Sequence, residues 1–98
     1  MRKVLLSGRV WDKISELELF LKEDLKFSKE AARKRSDRMR VFLKSLSAPV
    51  DHPLCRFKKW QLLGYRCAVF EKSWVFAYEI VNGGVIVRDM SNVALLIE

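Results

Sequence analysis

The sequence predicts an α+β fold in two layers, with a helical hairpin packed on one face of a mainly antiparallel sheet. Three observations lead there. Helical spacing of apolar residues runs through two consecutive stretches between residues 9 and 47. Three apolar runs of strand character follow in Gly64–Met90, separated by Lys72-Ser73 and Asn82-Gly83. A short apolar run, Lys3–Ser7, precedes the helices and reads as a first strand. With 98 residues, half of them apolar, the chain suits a single domain, 1–98, with one modest core.

In chain order, residues 9–25 place Val10, Ile14, Leu17, Leu21 and Leu25 on one helical face. Ser28 is the expected N-cap of a second helix, because its hydroxyl can accept from the unpaired amides of the first turn. That helix is expected to run to about Ser47, with Ala32, Met39, Phe42, Leu43 and Leu46 inward, and to stop before Ala48-Pro49. Val50–Pro53 is irregular. Leu54–Trp60 is expected as a second strand, joined by Gln61–Gly64 to the three strands beyond. The order is therefore β-α-α-β-β-β. The tail Val93–Ile97 either closes the core as a last strand or helix, or forms surface for a partner to cover.

Asn82-Gly83 is a strong hairpin signal, since both central turn positions need positive φ. Two-residue loops at Lys72-Ser73 and Asn82-Gly83 would set Arg66 opposite Glu79, Ala77 opposite Arg88 and Val81 opposite Gly84. Alternation then gives a core face of Cys67, Val69, Phe76, Tyr78, Ile80, Val85 and Val87. The other face carries Arg66, Ala68, Ala77, Glu79, Ile86 and Arg88, with two arginines and a carboxylate standing above small residues. Arg66 opposite Glu79 also reads as an ordinary cross-strand ion pair worth roughly 0.2–1 kcal/mol. Trp11, Trp60, Trp74, Tyr65 and Tyr78 read first as packing, with Trp60 and Trp74 the better candidates for stacking on bases.

The formal charge of +7 is unevenly spread. Residues 9–26 carry four basic and five acidic side chains, whereas residues 28–46 carry seven basic and two acidic. Arg56, Lys58, Lys59 and Arg66 form a further basic cluster. Such a balance attracts a polyanion such as RNA, or an acidic protein. No apolar run approaches the roughly 18 residues of a membrane span, so no membrane partner is expected. Cys55 and Cys67 are expected as free thiols in a reducing cytoplasm. With His52 the only histidine, neither a metal nor a cofactor is expected. Gly-rich phosphate loops, metal-ligand spacings and nucleophile elbows are missing from the sequence.

Several short motifs carry a resemblance over nearly the whole chain. The element order, Ser7, Leu46 and Pro49 before the connector, Gly64-Tyr65-Arg66 and Tyr78-Glu79-Ile80 together resemble the RelE/ParE toxin superfamily. These are small basic toxins of bacterial type II toxin–antitoxin modules. The resemblance implies a RelE-like fold and two activities. RelE-type members cut mRNA in the ribosomal A site, and ParE-type members poison DNA gyrase. Each is neutralised by an antitoxin that wraps it with extended and helical segments.

On the nuclease reading, Arg66 fits the phosphate-binding arginine of the Gly-Tyr-Arg motif. Lys59 falls on the second of two family lysines, with Phe57 at the first. A register shifted by one presents Arg56 and Lys58 outward instead, and both remain open. Arg88 substitutes from within its strand for a later arginine, since Ser91–Glu98 has neither the arginine nor the tyrosine of the RelE pattern. The expected catalytic set is therefore Arg66, Lys58, Lys59 and Arg88, with Arg56, Lys58, Lys59 and Arg66 binding RNA. Cations of this kind can hold a phosphodiester and stabilise developing charge without a metal, if the ribose 2′-hydroxyl is the nucleophile. Expected partners are an acidic antitoxin and the ribosome with mRNA, or else gyrase. A non-toxic RNA- or protein-binding domain is the third reading. The oligomeric state is left open.

Overall fold

The computed structural model describes residues 2–26 and 28–96. Its elements are β1 (Lys3–Leu6), α1 (Gly8–Glu23), α2 (Lys29–Lys44), a 3-10 turn (Ser45–Ser47), α3 (Lys58–Gln61), β2 (Arg66–Phe70), β3 (Trp74–Val81), β4 (Gly84–Asn92) and a last 3-10 turn (Val93–Leu95). The four strands form one sheet in the order β1-β4-β3-β2. β1 runs parallel to β4, and the other pairs are antiparallel. The α+β two-layer expectation holds.

Both helices begin where a serine can cap them. Ser7 Oγ accepts from the Val10 amide at 3.3 Å, and Ser28 Oγ from the Ala31 amide at 3.1 Å. Their apolar stripes meet the sheet and bury Val10, Ile14, Met39, Leu43 and Leu46 against Ala68, Phe76, Tyr78, Val85, Val87 and Met90. Each large side chain taken from water there contributes about 1.5–3 kcal/mol. Between the helices, Ser36 is buried and hydrogen-bonds Glu18 at 2.9 Å. Leu25, expected inward, lies beyond the end of α1 and is exposed. At the β3–β4 hairpin, Gly83 takes φ +83, which an L side chain resists. Next to it, a Cβ on Gly84 would collide with the Lys3 carbonyl, so glycine lets β1 close onto β4.

Two expectations fail before β3. The β2–β3 loop holds three residues, Glu71-Lys72-Ser73, with Glu71 and Lys72 at φ 49 and 62. The added residue slips the register by one and turns all of β2 over. Arg66 therefore stands opposite Tyr78, not Glu79. Ala68 faces the helices, and Phe70 meets Phe42 at a 5.1 Å centroid distance. Cys67 and Val69 turn to the open face. On β3 and β4, Phe76, Tyr78, Val85 and Val87 occupy the expected core face, while Ile80 extends past the helices and is exposed.

Leu54–Trp60 is not a strand. It makes a single bridge, Leu54 to Arg66, and then coils into the one-turn α3. This segment lies over the open face and builds a second small core from Cys55, Trp60, Val75 and Ala77, edged by Phe57, Tyr65, Cys67 and Leu96. Apolar groups on that side of the sheet need cover, and one short turn with a tryptophan supplies it. Cys55 and Cys67 are joined in a disulfide, not free thiols. The tail ends in the 3-10 turn, with Val93 N–H donating to Ser73 O at 2.8 Å. Ile97 lies outside the described residues.

The disulfide closes a short loop of separation 12, a constraint on the unfolded chain worth about 3 kcal/mol. Unfolding in urea with and without dithiothreitol should differ by about 2–3 kcal/mol. Equal midpoints would mean that Trp60 and the backbone bonds hold the cover segment unaided.

Candidate anion-binding site on the open face

The site is assembled where β4 breaks its own alternation. Tyr78 pairs with Val87 and Ala77 with Asp89, leaving Arg88 as an extra residue between them. A bulge of this kind re-aims side chains. Arg88 and Asp89 both face away from the helices, while Val87 and Met90 both reach the core. Ala77 therefore lies opposite Asp89 and not Arg88, as strict alternation had suggested.

A concavity of about 460 Å³ opens beside the bulge, lined by Ser7, Arg9, Lys59, Trp60, Leu63, Tyr65, Arg88 and Asp89. Three cations from three elements surround it. Arg9 comes from the first turn of α1, a turn that itself holds no acidic residue. Lys59 comes from α3, where its ammonium sits 4.7 Å above the Trp60 ring, a cation–π contact that sets its direction. Arg88 donates to Glu79 Oε1 at 2.8 Å. That bond, above all, pushes its pKa further up, so Arg88 is a permanent cation.

Asp89 anchors the α1 side. It is buried, accepts from Lys13 Nζ at 2.8 Å and the Met90 amide at 2.8 Å, and lies 3.5 Å from Arg9. Burial pushes its carboxyl up. The Lys13 and Met90 hydrogen bonds and the nearby charges outweigh that, and the net pKa lies below the usual carboxylate value. Asp89 is thus a fixed anion that positions Lys13 and Arg9.

The expected site residues are only partly brought together. Lys59 and Arg88 share the pocket. Arg66 does not, because the inverted strand carries it to the face of Tyr78. There its Nη1 donates to the His52 carbonyl at 2.8 Å, and the His52 amide donates to the Tyr78 hydroxyl at 2.8 Å. Beside them Arg2 and Asp51 pair at 2.6 Å, and chiefly this hydrogen bond lowers the Asp51 pKa. Arg56 and Lys58 are exposed on the cover segment and do not line the pocket. Trp60 is buried, and its role is packing. Sequence reasoning missed Arg9 and Asp89. A serine N-cap directly after a strand, followed by arginine, was the signal for the first, and adjacent charges inside an apolar strand for the second.

Chemically the pocket can hold an anion of phosphate size against two guanidinium groups and an ammonium, with a tyrosine at its wall. Among the described residues, no group of three His, Cys, Asp or Glu gathers as a metal site, and no helix is long and apolar enough to cross a membrane.

The chain is similar in structure to YafQ from E. coli strain BL21(DE3), at 19% identity and a TM-score of 0.53, over 100% of both chains. The fold is RelE-like. No protein-family model matches the chain, and no curated protein matches it in sequence.

Asp89→Asn should remove the anchor charge while keeping its shape. We expect a loss of about 2 kcal/mol near pH 7. A lowered carboxylate pKa stabilises the fold above the unfolded-state value and loses that effect as pH falls through the folded value. The gap between wild type and Asp89→Asn should therefore persist from pH 8 to about 5 and close below about pH 4, as read by thermal melts.

Proposed function

We propose that this chain is the toxin of a type II toxin–antitoxin pair and that it acts on RNA through the open-face pocket. One observation carries the reading: Arg9, Lys59 and Arg88 converge from three separate elements on a single concavity. The fold supports it, since the structural neighbour YafQ is a RelE-family type II toxin. The net charge of +7 favours approach to a polyanion.

In this reading Arg88 and Arg9 clamp a phosphodiester, and Lys59 stands at its third side. Attack by the ribose 2′-oxygen on phosphorus gives up the 2′-hydroxyl proton to a base and forms a 2′,3′-cyclic phosphate. The bond to the 5′-oxygen of the next nucleotide breaks, and that oxygen leaves with a proton as its hydroxyl. Charge builds on the non-bridging oxygens meanwhile. Fixed cations already in place stabilise that charge without reorganising. Proton transfer falls to Lys59 or Tyr65, whose ammonium and hydroxyl groups belong to residues that line the pocket. Arg66 takes a supporting part, holding the 51–53 connector to β2 through the His52 carbonyl. A cytoplasmic location, the ribosome with mRNA as target and an acidic antitoxin complete the proposal.

Induced expression should halt growth and leave mRNAs fragmented, as mapped by 5′-end sequencing. Arg88→Ala and Lys59→Ala should each lower cleavage by about 10²–10³, the usual cost of one charge-stabilising group. Their melting temperatures should stay within a few degrees of wild type, because both side chains are exposed. Growth arrest with intact mRNA and an induced DNA-damage response would replace RNA by gyrase as the target.

A further inference from the structure

One covalent bond links the cover segment to the sheet beneath the anion pocket. The Cys55–Cys67 disulfide closes a ring over residues 55–67. One whole wall of the pocket lies inside that ring: Lys59, Trp60, Leu63 and Tyr65. The facing wall, with Arg9 and Arg88, belongs to α1 and β4. The distance from Lys59 to the two arginines is therefore set by how firmly the ring is held to the sheet.

The other ties of this wall are slight. α3 is a single turn, Lys58–Gln61, and among the described residues none caps its start with a side chain. A helix that short does not hold itself in water. Backbone pairing with β2 runs from Cys55 N–H to the Tyr65 carbonyl at 2.9 Å and from Cys67 N–H to the Pro53 carbonyl at 3.2 Å. Both bonds sit at the disulfide itself. Beyond them the wall leans on Trp60, buried against Val75 and Ala77.

In the proposed cytoplasmic location, a disulfide is characteristically a redox-sensing bond and not a permanent brace. We infer that Cys55–Cys67 is a thiol-exchange site that switches the anion pocket. Oxidised, the ring holds Lys59 beside Arg9 and Arg88. Reduced, the wall is released and the pocket loses its third cation. The reductant is a dithiol. Its thiolate bonds to the Sγ of Cys67, which is half-buried where Cys55 is buried. The S–S bond breaks, and Cys55 Sγ leaves as a thiolate and takes a proton. The second thiolate of the reductant then attacks the mixed disulfide, which frees Cys67 to take a proton and closes the reductant's own disulfide. Two electrons pass from the dithiol to the protein. The inference rests on the RNA reading of the pocket, whose activity the bond would switch.

The test compares the full chain oxidised, reduced with dithiothreitol, and as the double variant Cys55→Ser/Cys67→Ser. Thiols are counted by alkylation and mass spectrometry, and cleavage of ribosome-bound mRNA is measured beside amide exchange. Reduction should free two thiols. Exchange should then speed at least tenfold over residues 61–65, whose amides bond within the segment, while Phe76 and Val87 stay protected. Cleavage should fall at least tenfold on reduction and return on reoxidation. The double variant should cleave at the reduced level with or without dithiothreitol. Free thiols with unchanged cleavage would overturn the inference and leave the RNA reading standing. A disulfide that resists dithiothreitol would overturn it as well. Lost cleavage with unchanged exchange over 61–65 would overturn release of the wall. Lost protection at Phe76 and Val87 would also overturn it, because the bond would then hold the whole fold. Absence of cleavage in every state would remove the RNA reading, and this inference with it.

Discussion

The site depends on one extra residue in β4. Under strict alternation, Val87 would face the helices, Arg88 the open side, Asp89 the helices again and Met90 the open side. A carboxylate would then sit among Phe76, Tyr78 and Ile14, where an unpaired charge costs several kcal/mol. The bulge avoids this by letting Arg88 and Asp89 share the open face while Met90 returns to the core. The same step brings Asp89 to Lys13 and Arg9, so the device that protects the core also fixes the first turn of α1 beside the pocket.

The helices were legible because their signals are local. Capping serines, the 3.6-residue stripe and Pro49 each act within a turn or two of the chain, and both α1 and α2 followed them. The faces of β3 and β4 were legible for the same reason, since Asn82-Gly83 admits few alternatives. β2 was not, because its register hangs on whether a turn holds two residues or three, and Glu71 gives no compositional hint that it takes positive φ. Phe70 was the better guide. An aromatic at the end of an apolar run, taken as a core anchor against Phe42, sets Ala68 inward and Cys67 outward. Leu54–Trp60 misled for a different reason: its apolar residues cover a sheet from outside, and Leu54, Phe57 and Trp60 serve that purpose at turn spacing as well as at strand spacing.

Charge at the pocket is compensated only in part, which suits reversible binding. Arg88 is held by Glu79, with both side chains more than a third exposed, and such a pair contributes about 0–1 kcal/mol. An incoming phosphate offering two oxygens to the guanidinium can therefore share or displace that contact at little cost. The buried partner behaves differently. Asp89 is tied by two hydrogen bonds of 2.8 Å and is not exchanged for a ligand. One carboxylate thus holds its arginine ready and the other holds the scaffold.

The pocket wall is held through β2, because Cys67 in that strand is bonded to Cys55 in the cover segment, and the cover segment carries Lys59, Trp60 and Tyr65 to the pocket. Displacing the segment would shift Lys59 away from Arg88. The disulfide opposes this, since it ties the segment to β2 whether or not its backbone bonds survive.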